Sequence, residues 1–300
     1  MTFRMPRPLA RGHQALALAL LALTVAACRT TARRGAPIPA ASGEVAGGMP
    51  VADTIRIDGS NGVMPLVAAL ADAYRTAHPS SRITLGGGLG SKARLQALAA
   101  RRIDIAVASH GLDMAALALD GMSAHRIALT PVVIGVHAGV TVRGVSEGQA
   151  CDLLTGRLTM WAPLGGGSGA VRAYMRPESE VDTEVVRAGV SCLRQAGEEG
   201  VVTIVQETGD MVRALAEIPG AVGVTTATVV RQSGGKILAL SLDGVAPTLV
   251  NVESGRYRLT RDSYLVSHIT PSRAVSRFLE FARSSAGRAV LAANGSIPAR

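Results

Sequence analysis

A short stretch from Asp53 to Leu70, DTIRIDGSNGVMPLVAAL, constrains the fold of this chain more than any other. Thr54, Ile55 and Ile57 form a strand-like run, and Gly59, Ser60, Asn61 and Gly62 form a turn. Val63, Leu66, Val67, Leu70 and Tyr74 then recur at helical spacing, which predicts a helix with one apolar face. Ser60 or Asn61 suits the cap of that helix, and Pro65 is tolerated in its first turn, where the missing amide has no helical acceptor. A strand, a small polar turn and a helix start gather free backbone N–H groups and a hydroxyl around one point, which suits an anion. An ordinary strand–helix connection needs the same cap, so the stretch alone leaves both readings open.

The unit recurs. Ser81–Gly90 reads SRITLGGGLG: Ile83 and Leu85 alternate as in a strand, three glycines follow, and a helix starts near Ser91. Ala93, Leu95, Ala97 and Leu98 are its candidates for burial, and Lys92 sits in its first turn. Glycine turns let backbone approach a ligand closely, and the helix start adds donors and dipole. No G-x-x-x-x-G-K-[ST] run is present, so a P-loop is not supported. Arg101–Leu112 gives a third strand, with Ile103, Ile105 and Val107 alternating and Ser109 and His110 at its end. In an open α/β sheet ligands collect at the C-terminal ends of strands, so Ser60, Ser91 and Ser109 are expected to converge.

The rest of the chain continues in α/β fashion. Leu129–Val140 reads as a buried strand that crosses between lobes, and Ser146 with Gln149 as the start of a capped helix. Trp161 reads as a packing residue, and His137 as a core or edge histidine, with no second histidine at metal spacing. Val171, Ala173 and Met175 alternate up to Arg176, which is either a bidentate oxyanion clamp or a surface arginine paired with Glu178 or Glu180. Gly209–Val224 predicts a helix, a Pro-Gly turn and a strand; Val229–Val250 predicts short strands; a capped helix from about Ser272 carries Val275, Phe278, Leu279 and Phe281.

The first residues have a separate purpose. Residues 1–27 read as a signal peptide, with Arg4, Arg7 and Arg11 ahead of an apolar run from Ala15 to Val25. Thr24-Val25-Ala26-Ala27-Cys28 resembles a bacterial lipobox, which implies cleavage before Cys28 and a lipid anchor on it. Residues 28–52, rich in Ala, Gly, Pro and Arg, read as a flexible tether. That leaves Cys151 and Cys192, which in an oxidising compartment form either a disulfide or two buried thiols. The formal charge of +9 falls by three when Arg4, Arg7 and Arg11 are removed, and the remaining basic residues are scattered. With aromatics at 3%, this excludes the stacking platforms and dense basic stripe of a nucleic-acid binder, and fits a small anionic ligand or an anionic surface.

In this order the pieces resemble the phosphate-binding family of ABC-transporter solute-binding proteins, over nearly all of 53–300. IDGSNGVMPL is similar to the family's strand and G-S-x-x-x-x-P-L helix start, GGGLGS to its glycine-serine loop, and RRIDIAVAS to its V-D-I-G-x-A-S strand. CDLLTGRLTMWAPLGG, EIPGAVGV, LDGVAPTLVNVESGRYRLTRDSYLV and SSAGRAVLAANGSIP resemble four later family motifs. The resemblance implies an α/β clamp of the type 2 periplasmic-binding-protein fold. Its lobes are discontinuous, 53–135 with 227–300 and 136–226, and hinge strands join them. It also implies a desolvated oxyanion held by Ser60 and Asn61, by Gly90 and Ser91, by Ser109, and by Arg176 from the other lobe. The partners implied are phosphate or a related oxyanion, a permease, and a membrane reached through the lipid anchor; the protein is a monomer without cofactor or metal.

The sequence departs from the family after Arg176, where G-S-G-T is replaced by Glu178-Ser179-Glu180-Val181-Asp182-Thr183. Carboxylates beside a phosphate repel it unless they point away or pair with Arg176 or Lys92. Lys92 is expected to compensate for hydroxyls lost from the second loop. Two rivals stand beside the transport reading. One is a lipid-anchored sensor or surface scaffold that kept the fold and lost tight anion binding. The other is a phosphatase-like or transferase-like enzyme, against which stands the lack of a nucleophile–base pair or a metal-spaced cluster in the sequence.

Overall fold

The computed structural model describes residues 54–194 and 201–300. The expected signal peptide, the expected lipidation site at Cys28 and the expected tether lie outside the described residues. The chain runs β1 (Thr54–Gly59), α1 (Met64–Ala77), β2 (Arg82–Leu85), α2 (Ser91–Ala99), β3 (Ile105–Ala108), α3 (Met114–Leu119) and β4 (Met122–His137). It continues with β5 (Gly144–Val145), α4 (Glu147–Leu154), β6 (Arg172–Met175), α5 (Val181–Gly189), β7 (Val202–Ile204), α6 (Thr208–Glu217), β8 (Ala221–Thr226) and α7 (Ala227–Gln232). It ends with β9 (Ile237–Ala239), β10 (Ser241–Leu242), α8 (Leu249–Glu253), β11 (Thr260–His268), α9 (Arg273–Arg283), α10 (Ser285–Ala293) and β12 (Ile297–Pro298).

One sheet carries most of these strands, in the order β2-β1-β3-β11-β4-β8-β6-β7, with β12 and β9 also on β4. At one end β1 pairs in parallel with both β2 and β3; at the other, β6 pairs in parallel with both β7 and β8. Each end is therefore a small doubly wound unit whose first strand lies between the next two. Such a unit reverses direction beside its first strand, and ligands collect where that strand ends. Between the units run two antiparallel strands, β4 and β11. The first part of β4 pairs with β11, and Val132–Val136 pairs with β8, so one strand serves both halves.

Side-chain alternation sorts the cores. In β3, Ile105 and Val107 join the core under α1, α9 and α10, while Ala106 and Ala108 join the core under α2 and α3. The predicted stripe of α1 is realised: Val63, Leu66, Val67, Leu70 and Tyr74 are all buried. Tyr74 meets Phe278 and Phe281 edge-on, each at 5.3 Å between ring centres, which joins α1 to α9. A second large core gathers residues of β4, α4, β6, α5 and β8 around Trp161, whose Nε1 donates to the Gly220 carbonyl at 3.1 Å. Leu240, Val252, Tyr257 and Leu259 pack there too. Within it Cys151 and Cys192 are joined by a disulfide, with Cα atoms 6.3 Å apart.

Three local expectations need correction. The crossing strand begins at Met122 rather than Leu129, because its polar first part, including His125 and Arg126, pairs with β11. Val229 and Val230 lie in α7, where the Thr226 hydroxyl caps the helix and outweighs the strand preference of two valines. In α2 the buried positions are Arg94, Ala97 and Leu98, while Ala93 is exposed.

Candidate functional site

Among the ten described helices, six begin with a side-chain cap: Asp113 for α3, Ser146 for α4, Thr226 for α7, Thr248 for α8, Ser272 for α9 and Ser284 for α10. At Ser146 the full capping box with Gln149 is present. The remaining four have no side-chain cap: α1 after Val63, α2 after Gly90, α5 after Glu180 and α6 after Glu207. These four helices follow β1, β2, β6 and β7, four of the six parallel strands of the two units. An uncapped helix start offers unused N–H donors and the positive end of the helix dipole. At α1 the N–H groups of Val63, Met64 and Leu66 are taken by the Ser60 and Val63 carbonyls and Pro65 has none, so there the dipole and the preceding turn are what remain.

Contacts bring the starts of α1, α5 and α6 together, and the loop ahead of α2 lies against the first of them. Asn61, ahead of α1, donates from Nδ2 to Glu207 Oε2, ahead of α6, at 3.1 Å. Arg261 of β11 donates from Nη2 to the Gly62 carbonyl at 2.5 Å and places Nε 2.5 Å from Asp182 Oδ1 in the first turn of α5. Arg176, at the end of β6, donates from Nη1 to Thr208 Oγ1 at the start of α6, 2.7 Å away. Its Nη2 stands 3.2 Å from Glu180 Oε1, ahead of α5. His110 Nε2, after β3, lies 3.4 Å from Glu184 Oε2. A cavity of about 430 Å³ opens where α1, the Gly86–Gly87 loop and the start of α6 meet.

The second loop is held against the first by a carboxylate. Asp58 Oδ1 accepts from the backbone N–H of Gly59 at 2.7 Å and of Gly88 at 2.9 Å, and the Leu89 N–H donates to the Gly59 carbonyl at 2.7 Å. Glycine is required at Gly88: its φ is +111°, and a Cβ there would overlap Asn61 Oδ1.

The residues expected at the site divide into three groups. Ser60 and Asn61 are half-buried at the start of α1, and the Ser60 carbonyl accepts the N–H groups of Val63 and Met64. Gly90, Ser91 and Lys92 are exposed at the start of α2, and among the described residues no carboxylate pairs with Lys92. Ser109 is fully buried and gives its hydroxyl hydrogen to the Asp262 carbonyl at 2.8 Å, so its oxygen can only accept from a further partner. Arg176 is paired with Glu180, as one alternative allowed, but it is buried at 6% exposure rather than on the surface.

The acidic stretch is paired off. Glu178 meets Arg187 at 2.8 Å, Glu180 meets Arg176, Asp182 meets Arg261 and Glu184 meets His110. Lys92 takes no part. Two cations missed in the sequence stand out instead, Arg94 at 5% exposure and Arg261 at 2%. Burial pulls the Arg94 guanidinium below its ordinary pKa, and the charge of Glu180 works against that. The buried Nε of Arg94 has no hydrogen-bond partner among the described residues. The signal for Arg94 was present: positions 94, 97 and 98 follow the i, i+3, i+4 spacing of a buried face.

A sequence profile of the PBP superfamily domain matches residues 44–286. The chain belongs to this superfamily. Its two doubly wound units and paired crossing strands are the two-lobed, type 2 form of the PBP fold. The PBP chain is 26% identical over 238 residues to the phosphate-binding protein PstS of Bacillus subtilis (strain 168), covering 77% of this chain and 75% of PstS. It is also similar to the structure of a phosphate ABC transporter substrate-binding protein from Clostridium perfringens with bound phosphate. The TM-score there is 0.69 at 24% identity, over 83% of this chain and 100% of that one. An ABC-type phosphate transport receptor from Vibrio cholerae matches with a TM-score of 0.55 at 21% identity, over 81% of this chain and 99% of that one. At these identities the two solved structures show the fold.

Proposed function

We propose that this PBP-superfamily protein is an exported solute-binding protein that captures a tetrahedral oxyanion, phosphate first, and delivers it to an ABC transporter. The observation that carries this reading is the set of four adjoining helix starts without side-chain caps, at α1, α2, α5 and α6, with the buried Arg176 among them. Backbone N–H groups and a guanidinium are the donors a desolvated oxyanion needs. The relatives named for phosphate give the ligand its first choice. Ser109, an acceptor once its hydrogen is committed to Asp262, suits an oxyanion that still carries a proton, as phosphate does and sulfate does not.

In this reading Ser60 and Asn61 serve the ligand from the first loop, Gly90 and Ser91 from the second, and Arg176 from the opposite lobe. Lys92, exposed, adds positive field at the entrance. The lobes move as a clamp about β4 and β11. The first lobe comprises the strands and helices up to the middle of β4 and the C-terminal helices. The packing of Leu240, Val252, Tyr257 and Leu259 supports placing the segment between them with the second lobe. Capture and release need no chemistry, so the protein is not an enzyme. Residues 1–27 direct export, Cys28 carries the lipid, 28–52 act as a tether, and the protein works as a monomer beside its permease. Equilibrium dialysis with radiolabelled phosphate tests the reading: the protein binds one phosphate, and Arg176→Met, folded by its melting curve, loses that binding.

A further inference from the structure

Glu180 occupies the place where an anion would be welcomed. It directly precedes α5, yet its side chain makes no cap; Oε1 instead lies 3.2 Å from Arg176 Nη2. Its charge also acts on Arg94 of α2, in the other half of the sheet. Both arginines are more than nine-tenths buried. Arg94 Nε, Arg176 Nε and Arg176 Nη2 have no well-directed hydrogen bond among the described residues. One buried guanidinium, Arg176, thus faces a carboxylate that does not satisfy it, and a second, Arg94, lies within that carboxylate's field. The Glu180 side chain keeps 35% of its surface in water, so it can rotate outward without unfolding the turn that carries it.

We propose that Glu180 is a resident anion of the cleft, and that the incoming oxyanion displaces it from Arg176 and is then bound by both Arg176 and Arg94. This rests on the anion-binding reading above and adds to it a second ligand-binding arginine and a built-in competitor. The charges suit the exchange. With the carboxylate in place the two guanidiniums carry one uncompensated positive charge; with it gone they match a doubly charged oxyanion. The other carboxylates nearby are committed elsewhere: Glu178 to Arg187, Asp182 to Arg261, Glu184 to His110 and Glu207 to Asn61. The exchange therefore falls to Glu180. A resident carboxylate lowers affinity and rejects anions too weakly charged to displace it.

The test is the dissociation constant for phosphate and for sulfate, by equilibrium dialysis, in the wild type, Glu180→Gln, Glu178→Gln and Arg94→Met. Glu178→Gln is the control: it removes the same charge two residues away, from an exposed side chain. Melting curves confirm that each variant is folded. Expected are about tenfold tighter binding in Glu180→Gln, a change under twofold in Glu178→Gln, and at least tenfold weaker binding in Arg94→Met, against a scale of roughly 1.4 kcal/mol per tenfold. Binding that is unchanged or weaker in Glu180→Gln, or equal gains in both glutamine variants, overturns the proposal. If the wild type binds neither anion but Glu180→Gln does, the resident-anion proposal stands and the transport reading of the wild type fails. If no variant binds either anion, both fall.

Discussion

Arg261 Nε lies 2.5 Å from Asp182 Oδ1, and the same guanidinium donates from Nη2 to the Gly62 carbonyl. One side chain on a crossing strand thus ties the start of α1 to the first turn of α5. Arg261 is 2% exposed and Asp182 17%. Water cannot replace the partner that either would lose.

Arg261→Met keeps the bulk and removes the cation. It strands a largely buried carboxylate, and breaking such a pair costs about 3 kcal/mol. Guanidinium chloride unfolding will show a lower midpoint of that order. Arg261→Met with Asp182→Leu, which removes both charges, should recover most of the loss; a double variant no better than the single would contradict the buried-pair account.

The Gly88 position predicts a site effect. Gly88→Ala places a Cβ against Asn61 Oδ1 at a φ of +111°, a strain of about 1–3 kcal/mol. The chain will relieve it by moving the 86–90 loop away from Asn61. Phosphate affinity should fall at least tenfold, while the melting temperature drops only a few degrees. Unchanged affinity would show that this loop does not touch the ligand.

How much of this could be read in the sequence follows from what each signal depends on. Strand–turn–helix units, the Ser146–Gln149 capping box and the α1 stripe are local patterns, and they stand as expected. Arg176 was legible because it ends an alternating strand. Arg261 was not, and Arg94 only as one position on an i, i+3, i+4 face, because burial of an arginine depends on what packs over it. A charged residue between apolar ones reads equally well as a solvated face. The order β7-β6-β8 repeats β2-β1-β3 only in space, with no sequence repeat to announce it. Lys92 and Arg94 are two positions apart on one helix, about 200° around it, so a cation expected at one proved buried at the other.

The disulfide closes a loop between residues 41 apart in sequence, and removing it frees the unfolded chain. The loop-entropy relation gives about 4 kcal/mol for that length. Cys151→Ser with Cys192→Ser should lower the melting temperature by roughly 10 °C. A shift under two degrees would contradict the bond's contribution.

Tyr257 contributes to the loss of stability at high pH. Its hydroxyl donates to the Val132 carbonyl at 2.8 Å, and burial pushes its pKa well above the ordinary phenol value. The folded chain keeps the proton where the unfolded chain loses it near pH 10. The stability Tyr257 contributes is complete below pH 10. It falls by about 1.4 kcal/mol for each pH unit from there up to the folded value. Tyr257→Phe should cost about 1 kcal/mol at neutral pH and flatten the decline above pH 10. The same slope in both proteins would contradict it.

The central claim is that the four uncapped helix starts and Arg176 hold phosphate. Isothermal titration calorimetry of the purified protein with phosphate, and separately with sulfate at matched ionic strength, tests it most directly. The account predicts one phosphate per chain, with sulfate weaker, and a stability gain of about 2.7 kcal/mol at a hundred times the dissociation constant. No heat and no stabilisation with phosphate would contradict it.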